Sequence, residues 1–174
     1  MWRFRLTRVS ARLAIGVVAA LLASGLPGGN WVAPLESGFA GVLQGFERPV
    51  DRFGSGHRGV DLPAQAGQQV RSIGSGVVTF VGEVAGTPSV TIEHQRVRSS
   101  YLPVRPQVSI GDRVQAATII GTVATPAHCP TTCLHLGVRR PAWDSRDAES
   151  DPYLDPIAWI NRTPVLKPLA RSLP

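Results

Sequence analysis

Short apolar runs separated by glycine dominate the chain from Val70 onward. Six segments, rich in valine, isoleucine, threonine and aromatic residues, predict β-strands: QQVRSIG, GVVTFVGEV, SVTIEH, RSSYLPV, ATIIGTV and CLHLGVR. Nowhere does this region sustain the period of about 3.6 residues that a long amphipathic helix requires. The pattern therefore predicts an all-β fold, a compact antiparallel sheet or sandwich-like pair of sheets with short loops.

The segments on either side of these runs have a different pattern. Residues 26–44 are rich in glycine and proline, which predicts a linker and a lead-in to the domain. YLDPIAWI at residues 153–160 predicts one short helical turn that packs on the sheet. The domain is thus expected to span residues 45–160, followed by a flexible tail at residues 161–174.

The first 25 residues combine positive charge with an apolar run that is short for a membrane span. Four arginines precede LAIGVVAALLA at residues 13–23: Arg3, Arg5, Arg8 and Arg12. A span needs about 20 apolar residues, so residues 1–25 predict a signal peptide, or a membrane anchor if cleavage fails. We therefore expect an extracytoplasmic protein, secreted or anchored in the cell envelope, that meets the membrane only through an uncleaved N-terminal segment.

Net charge argues against a nucleic-acid partner. The chain of 174 residues carries a formal charge of +6, but residues 1–25 contain four arginines and no acidic residue, so their removal lowers the charge to +2. A charge of that size gives only weak electrostatic steering towards nucleic acid.

Three side chains suggest a metal site. His57 and Asp61 lie four positions apart in GHRGVDLPAQAG, and an even separation lets both point the same way in an extended segment. His135, in CLHLGVR, could reach across to complete a set of three. Catalytic zinc takes three protein ligands and leaves its fourth position to water. The residues alone leave an alternative open, a surface pair at His57 and Asp61 and a hydrogen-bonded core histidine at His135.

The two cysteines, Cys129 and Cys133, lie close together in HCPTTC. Outside the cytosol, paired cysteines usually form a disulfide, and this one would fix a local turn.

These segments together resemble the lysostaphin-like metallopeptidases, zinc endopeptidases that cut peptide bonds in bacterial peptidoglycan. The similarity covers about residues 30–160, through WVAPL, GHRGVDL, SGVVTFVG, the GDRV and IIG corner, CLHLGVR and YLDP. GHRGVDL is the most specific match, because the family carries H-x-x-x-D in such a glycine–valine setting. The resemblance implies a zinc cofactor and a peptidoglycan peptide as the substrate.

At the level of residues, the resemblance implies that His57, Asp61 and His135 are the zinc ligands. It also implies two helper histidines, which polarise the substrate carbonyl and orient or deprotonate a water. This chain has Cys133 at the first helper position and Pro103 at the second. Proline has no titratable group, and the loss of general acid–base assistance typically slows a reaction by about 10² to 10⁴-fold.

Other side chains could replace the missing groups. His128 could swing towards the metal as a catalytic group, although it could equally be a solvated loop histidine. Tyr101 could donate its hydroxyl to an oxyanion, although a strand tyrosine often serves only in packing. If reduced, Cys133 could become a fourth zinc ligand and make the site structural. His94 is expected at a strand end in contact with solvent.

Two functions from different classes follow. The first is an exported zinc peptidase that acts on the peptide cross-links of peptidoglycan, favoured by the retained ligands. The second is a degenerate zinc-binding homologue that binds peptidoglycan or regulates another cell-wall hydrolase, favoured by the missing histidines. A lipoyl-type carrier domain is excluded, because such domains use a lysine at a hairpin tip and the single lysine here, Lys167, lies in the tail.

Overall fold

The computed structural model describes residues 30–50, 54–125, 129, 131–140 and 153–161. Nearly all regular structure in these residues is β. The strands are β1 (Gly59–Pro63), β2 (Gln69–Arg71), β3 (Gly76–Val84), β4 (Thr87–Glu93), β5 (Arg98–Leu102), β6 (Val104–Pro106), β7 (Arg113–Val114), β8 (Ile119–Val123), β9 (Cys133–Arg139) and β10 (Tyr153–Leu154). A single helical turn, α1 (Pro156–Ile160), follows β10.

Two antiparallel sheets make up the fold. The larger has the strand order β1-β9-β5-β4-β3-β7, with β10 added on β9, and the smaller has the order β2-β8-β6. Strand β9 is central to the larger sheet, since it pairs with β1, β5 and β10. The all-β, antiparallel fold predicted from the apolar pattern is confirmed.

Alternation along β9 shows why this segment forms a central strand. Leu134, Leu136 and Val138 point to one face, where each is fully buried. The intervening positions, which include His135, point to the other face, because successive side chains of a strand alternate. The larger sheet therefore has one apolar face that packs in the core and one face that carries the chemistry.

The core lies between the two sheets. Fully buried residues of the larger sheet (Val60, Leu62, Val90, Ile92, Tyr101) and of the smaller sheet (Val70, Val104, Ile120) belong to one hydrophobic cluster. Burial of apolar surface stabilises a fold by about 25 cal/mol per Å². This shared cluster therefore makes the main contribution to the packing of the two sheets.

Each of the six apolar runs contains a strand, and one run extends into a second. RSSYLPV is divided at Pro103 between β5, in the larger sheet, and the first residue of β6, in the smaller. The helical turn predicted within YLDPIAWI is present as α1, where the Asp155 carboxylate caps the helix by accepting from Ile157 N–H at 2.9 Å. The first two residues of that run form β10 instead.

The residues from 30 to 44, predicted as part of a linker and lead-in to the domain, pack on the domain. Leu35 is buried in the core, and Val32 N–H donates to Ile73 O at 2.9 Å. The Trp31 ring packs edge-on against His94 and Trp159, with centroids 5.1 and 5.7 Å away. Glycine and proline here serve turns within the folded unit. The predicted signal segment, residues 1–25, and the tail beyond residue 161 lie outside the described residues.

Within the described ranges, none of the helical structure is both long and apolar enough to span a bilayer.

Candidate metal centre

Sheet register places two of the predicted ligands side by side. Asp61 of β1 and His135 of β9 are directly opposed in the antiparallel pair. Opposed residues project to the same face, with Cβ atoms about 4.5–5.5 Å apart. Asp61 Oδ1 and His135 Nδ1 accordingly lie 2.7 Å from each other.

His57 reaches the same point from the chain just before β1. Its backbone pairs with Glu47 in an isolated bridge, with two N–H···O bonds of 2.9 Å. Its Nδ1 lies 2.7 Å from the carbonyl oxygen of Gly45, which can only accept, so Nδ1 carries the proton. In the neutral ring, Nε2 then presents its lone pair to the other two residues, as a metal-binding histidine does.

The three candidate donor atoms form a small triangle. His57 Nε2 lies 3.2 Å from Asp61 Oδ1 and 3.2 Å from His135 Nδ1, and the third side is the 2.7 Å contact between Asp61 and His135. Ligands about 2.0–2.2 Å from one tetrahedral zinc lie roughly 3.3–3.5 Å apart. The triangle is therefore of the size that a single zinc ion requires, with a small outward adjustment at its short side.

The donor set is shielded but open to a ligand. The Asp61 side chain is 3% exposed, whereas those of His57 and His135 are 11% and 15% exposed. A cation is favoured here, because two imidazole nitrogens and a carboxylate oxygen all point at one small space. A divalent ion would satisfy all three donors at once, so the residues fit the metal that the sequence predicts.

Two glycines of GHRGVDL make room for this arrangement. A Cβ on Gly56 would lie 2.7 Å from the carbonyl oxygen of Glu47, and one on Gly59 would lie 2.6 Å from His135 Nε2. Both distances are too short for a real Cβ. The glycines of the motif are thus explained by close packing around His57 and His135.

Strand β9 also places a disulfide beside the triangle. Cys133 lies two residues before His135, opposite Pro63 of β1, and is bonded to Cys129. A carboxylate oxygen of Asp61 and the two sulfur atoms all lie within 4.8 Å of one another. The disulfide predicted from the chain's expected location is present, and it lies near the same carboxylate that belongs to the His57, Asp61 and His135 set.

The predicted role of Tyr101 as an oxyanion donor does not fit its position. Tyr101 lies on β5 next to Leu102, which opposes His135, so its side chain points to the opposite, core face of the sheet. It is fully buried, and its hydroxyl accepts from Ile73 N–H at 2.9 Å. Burial raises the pKa of this phenol to about 12. Tyr101 is a core residue.

His94 was expected to contact solvent, and this expectation is wrong. It is 4% exposed, with Nδ1 at 2.9 Å from Ser75 O and Nε2 at 2.8 Å from the Ser99 hydroxyl. Desolvation by burial lowers its pKa, and the hydrogen bond to Ser75 O opposes that shift in part. His94 therefore belongs to a buried polar network with Ser99 and Tyr101, whose hydroxyls are 3.0 Å apart.

The remaining predicted groups are less informative. His128 lies outside the described residues. Pro103, which stands where the resemblance implies a helper histidine, is buried between β5 and β6. Among the described residues, the histidines are His57, His94 and His135, so only two of them face the triangle.

One contributor was missed entirely from the sequence. The backbone oxygen of Gly45 sets the tautomer of His57, and Leu43 N–H and Gln44 O bond the backbone of Asp61 at 2.9 Å. Backbone groups carry no sequence signature. The only available signal was the match of WVAPL, which indicated that this segment belongs with the domain.

Comparison with known proteins agrees with this geometry. The model of peptidase family M23 matches residues 55–152, more than half of the chain. An uncharacterised protein of Mycobacterium tuberculosis is 39% identical over 133 residues, which cover 74% of this chain and 51% of that protein. The chain spans about half the length of this relative.

Solved structures share the fold. The catalytic domain of the antimicrobial peptidase lysostaphin from Staphylococcus simulans aligns with a TM-score of 0.56 and 22% identity, over 68% of this chain and 90% of that one. A zinc containing peptidase from Vibrio cholerae aligns with a TM-score of 0.54 and 24% identity, over 63% of this chain and 37% of that one. With the matched family model and the register that joins Asp61 to His135, the conclusion is that the chain belongs to peptidase family M23.

Proposed function

We propose that this protein is an exported zinc metallopeptidase that acts on the peptide cross-links of bacterial cell-wall peptidoglycan. The observation that carries the proposal is the convergence of His57 Nε2, Asp61 Oδ1 and His135 Nδ1 within 3.2 Å of one another. Membership of family M23 supports the peptidase class, and the arginines before the apolar run at residues 13–23 support export.

The chemistry of the donors favours zinc over the other common divalent ions. Two imidazoles and one carboxylate form a mixed nitrogen and oxygen set, whereas calcium and magnesium take oxygen ligands. His57, Asp61 and His135 would hold the ion. When bound, zinc supplies Lewis-acid polarisation of a carbonyl and makes water more acidic.

The chain around the triangle makes room for the His135 ring. Gly59 and Gly137 are paired across β1 and β9 and are both buried, and His135 Nε2 lies 2.6 and 3.8 Å from the positions that a Cβ would take on them. The Ser100 hydroxyl lies 2.7 Å from that position on Gly137. This packing supports His135 as a ligand, because it holds the imidazole beside His57 and Asp61.

A second function is favoured by what surrounds the site. Cys133 is held in the disulfide, Tyr101 lies in the core, and among the described residues only the two histidines His57 and His135 face the triangle. A domain that keeps its metal but lacks acid–base groups would bind peptidoglycan, or regulate another cell-wall hydrolase, without cutting. If the protein is instead a peptidase, we expect its turnover to be slow, by the about 10² to 10⁴-fold that general acid–base groups contribute.

Metal content and new amino termini decide between these functions. The purified full chain should hold one zinc per molecule by elemental analysis, and His57→Ala or Asp61→Ala should hold none. The chain is then incubated with peptidoglycan fragments, and released amino groups are counted against those two variants. Release by the parent alone establishes the peptidase. Zinc-dependent binding to the fragments without release establishes the binder, and a parent without zinc refutes both.

A further inference from the structure

The Asp61 carboxylate is shared between two sets of potential metal ligands. One set is Asp61 with His57 and His135, and the other is Asp61 with the sulfurs of Cys129 and Cys133; within each set the candidate atoms lie within 4.8 Å of one another. Cys133 and His135 occupy alternate positions of β9 and therefore point to the same face. The sulfur of Cys133 thus lies beside the metal triangle and is kept from it by its bond to Cys129.

We propose that reduction of the Cys129–Cys133 disulfide converts Cys133 into a fourth protein ligand of the zinc site, which closes the position that substrate and water would use. This inference rests on the proposed function only in assuming that His57, Asp61 and His135 bind the metal. Oxidation restores the open, three-ligand form. The two states differ by one covalent bond, so the redox state of the disulfide controls access to the metal.

Exposure decides which sulfur a reductant attacks. Cys133 is fully buried, whereas Cys129 is partly exposed. One thiolate of a dithiol reductant attacks Cys129 Sγ, and the electron pair of the broken S–S bond leaves on Cys133 Sγ. The second thiol of the reductant then displaces Cys129, which yields two cysteine thiols and one oxidised, cyclic reductant. The proton of the Cys133 thiol passes to water when the sulfur binds the metal.

The displacement that Cys133 needs is small. Its sulfur lies within 4.8 Å of an Asp61 carboxylate oxygen in the oxidised protein. With a Zn–S distance of about 2.3 Å and a Zn–O distance of about 2.0–2.2 Å, sulfur and oxygen ligands of one tetrahedral zinc lie roughly 3.5 Å apart. Rotation of the released side chain can supply a movement of this order while β9 stays paired with β1 and β5.

Thiolate ligation also changes the character of the site. Closed sites with four protein ligands are typical of structural zinc, and catalytic sites keep one position open. Thiolates are soft ligands that bind zinc strongly. We therefore expect the reduced protein to bind the metal at least about tenfold more tightly than the oxidised protein and to lose any zinc-dependent hydrolysis.

Cobalt provides a readout that does not depend on activity, because a sulfur ligand gives Co²⁺ an intense near-ultraviolet charge-transfer absorption. The full chain is loaded with Co²⁺ in its oxidised form, and again after reduction by a phosphine, which takes up oxygen from water and is removed before loading. The band should be absent from the oxidised protein and present in the reduced one. Cys129→Ser should show it without reductant, and Cys133→Ser should lack it in both states.

The variants separate the failure of this inference from that of the proposed function. If every form binds one Co²⁺ and the band is absent from both reduced protein and Cys129→Ser, Cys133 is not a ligand and the three-ligand site still stands. A band in reduced Cys133→Ser would assign the sulfur to Cys129 and overturn the inference. If His57→Ala binds Co²⁺ as well as the parent does, both proposals fail. Loss of the folded circular dichroism spectrum in both reduced protein and Cys129→Ser would also overturn the inference, which requires a folded reduced state.

Discussion

At the scale of single residues, backbone groups prepare the candidate metal site. The carbonyl oxygen of Gly45 holds the proton of His57 on Nδ1, and backbone bonds from Leu43 and Gln44 anchor Asp61. Fixing the tautomer and the ring orientation in advance reduces the conformational freedom that metal binding would otherwise remove. The segment before β1 is therefore part of the site, although it supplies no ligand.

Gly59→Ala should damage both the metal site and the pairing of β1 with β9. The added methyl group would clash with Leu136 O and would lie 2.6 Å from His135 Nε2, so the strand contact must open and the imidazole must shift. We expect metal affinity to fall at least about tenfold, the size typical when the supports of a ligand are lost. Stability should fall by about 1–3 kcal/mol, as is usual for overpacking. Competition with a chromophoric chelator and urea unfolding measure the two effects.

Gly45→Ala is the matched control for this substitution. Gly45 is exposed, and a Cβ there would meet no atom within 4 Å, while its carbonyl oxygen remains available to His57. Metal affinity should stay within a factor of about two of the parent, since surface substitutions usually have small effects. Equal loss of affinity in both variants would mean that the glycines act through chain flexibility, not through the space that Gly59 leaves for His135.

How far single residues can be predicted depends on whether their partners are visible in the sequence. Strand parity and residue type made His57, Asp61 and His135 candidates, and the family resemblance then implied that they are the ligands. The burial of His94 could not, because its partners are the Ser75 carbonyl and the Ser99 hydroxyl. Neither group can be recognised in the sequence as a partner of His94, because the two come together only when the loop before β3 folds against β5.

At the scale of elements, strands with clear alternation were predictable and their pairing was not. Short apolar runs bounded by glycine and rich in β-branched residues located strands such as β3, β4 and β8. The division of RSSYLPV between two sheets depends on Pro103, and a proline within a run only indicates that the ladder is interrupted. β10 is two residues long and exists because β9 extends beyond the end of β1, which leaves Val138 and Arg139 free to pair with it. The local sequence of so short a strand contains no pattern from which it could be predicted.

The connection between β4 and β5 contains a buried titratable group, and this should make folding sensitive to pH. The pKa of His94 is lower in the folded protein than its ordinary value of 6.5. Below pH 6.5 the unfolded chain therefore binds a proton that the folded chain does not, and the free energy of unfolding falls as the pH falls. The slope from this one group approaches about 1.4 kcal/mol per pH unit at most.

Urea unfolding of the chelator-treated protein at pH values from 8 to 5.5 tests this effect, with His94→Gln as the comparison. The other titratable groups are common to both proteins, so the difference between the two unfolding free energies isolates His94. That difference should be constant above pH 7. Below pH 6.5 the unfolding free energy of the parent should fall relative to that of His94→Gln. Parallel curves over the whole range would show that His94 is protonated as easily in the folded protein as in the unfolded chain.

At the scale of the whole molecule, the two faces of the larger sheet have separate tasks. The core face joins the smaller sheet through one continuous apolar cluster, which provides most of the stability. The opposite face carries the triangle of His57, Asp61 and His135, and the disulfide next to it. The fold class followed from apolar periodicity because burial determines it. The meeting of Asp61 with His135 depends on the register between β1 and β9, which lie more than 70 residues apart in the sequence. Apolar periodicity alone does not determine that register.

A bound metal should therefore also stabilise the fold, because it links segments that are far apart in the sequence. His57 and Asp61 belong to the start of the domain and His135 to its central strand, so an ion held by all three stabilises only the folded state. At a free zinc concentration 100 times its Kd, the added stability is about 2.7 kcal/mol, which raises Tm by roughly 6–10 °C for a chain of this length. Thermal unfolding with zinc and with a chelator measures the difference, and His135→Ala should abolish it. A zinc-dependent rise that survives in His135→Ala would place the ion elsewhere, since the triangle lacks one of its three corners in that variant.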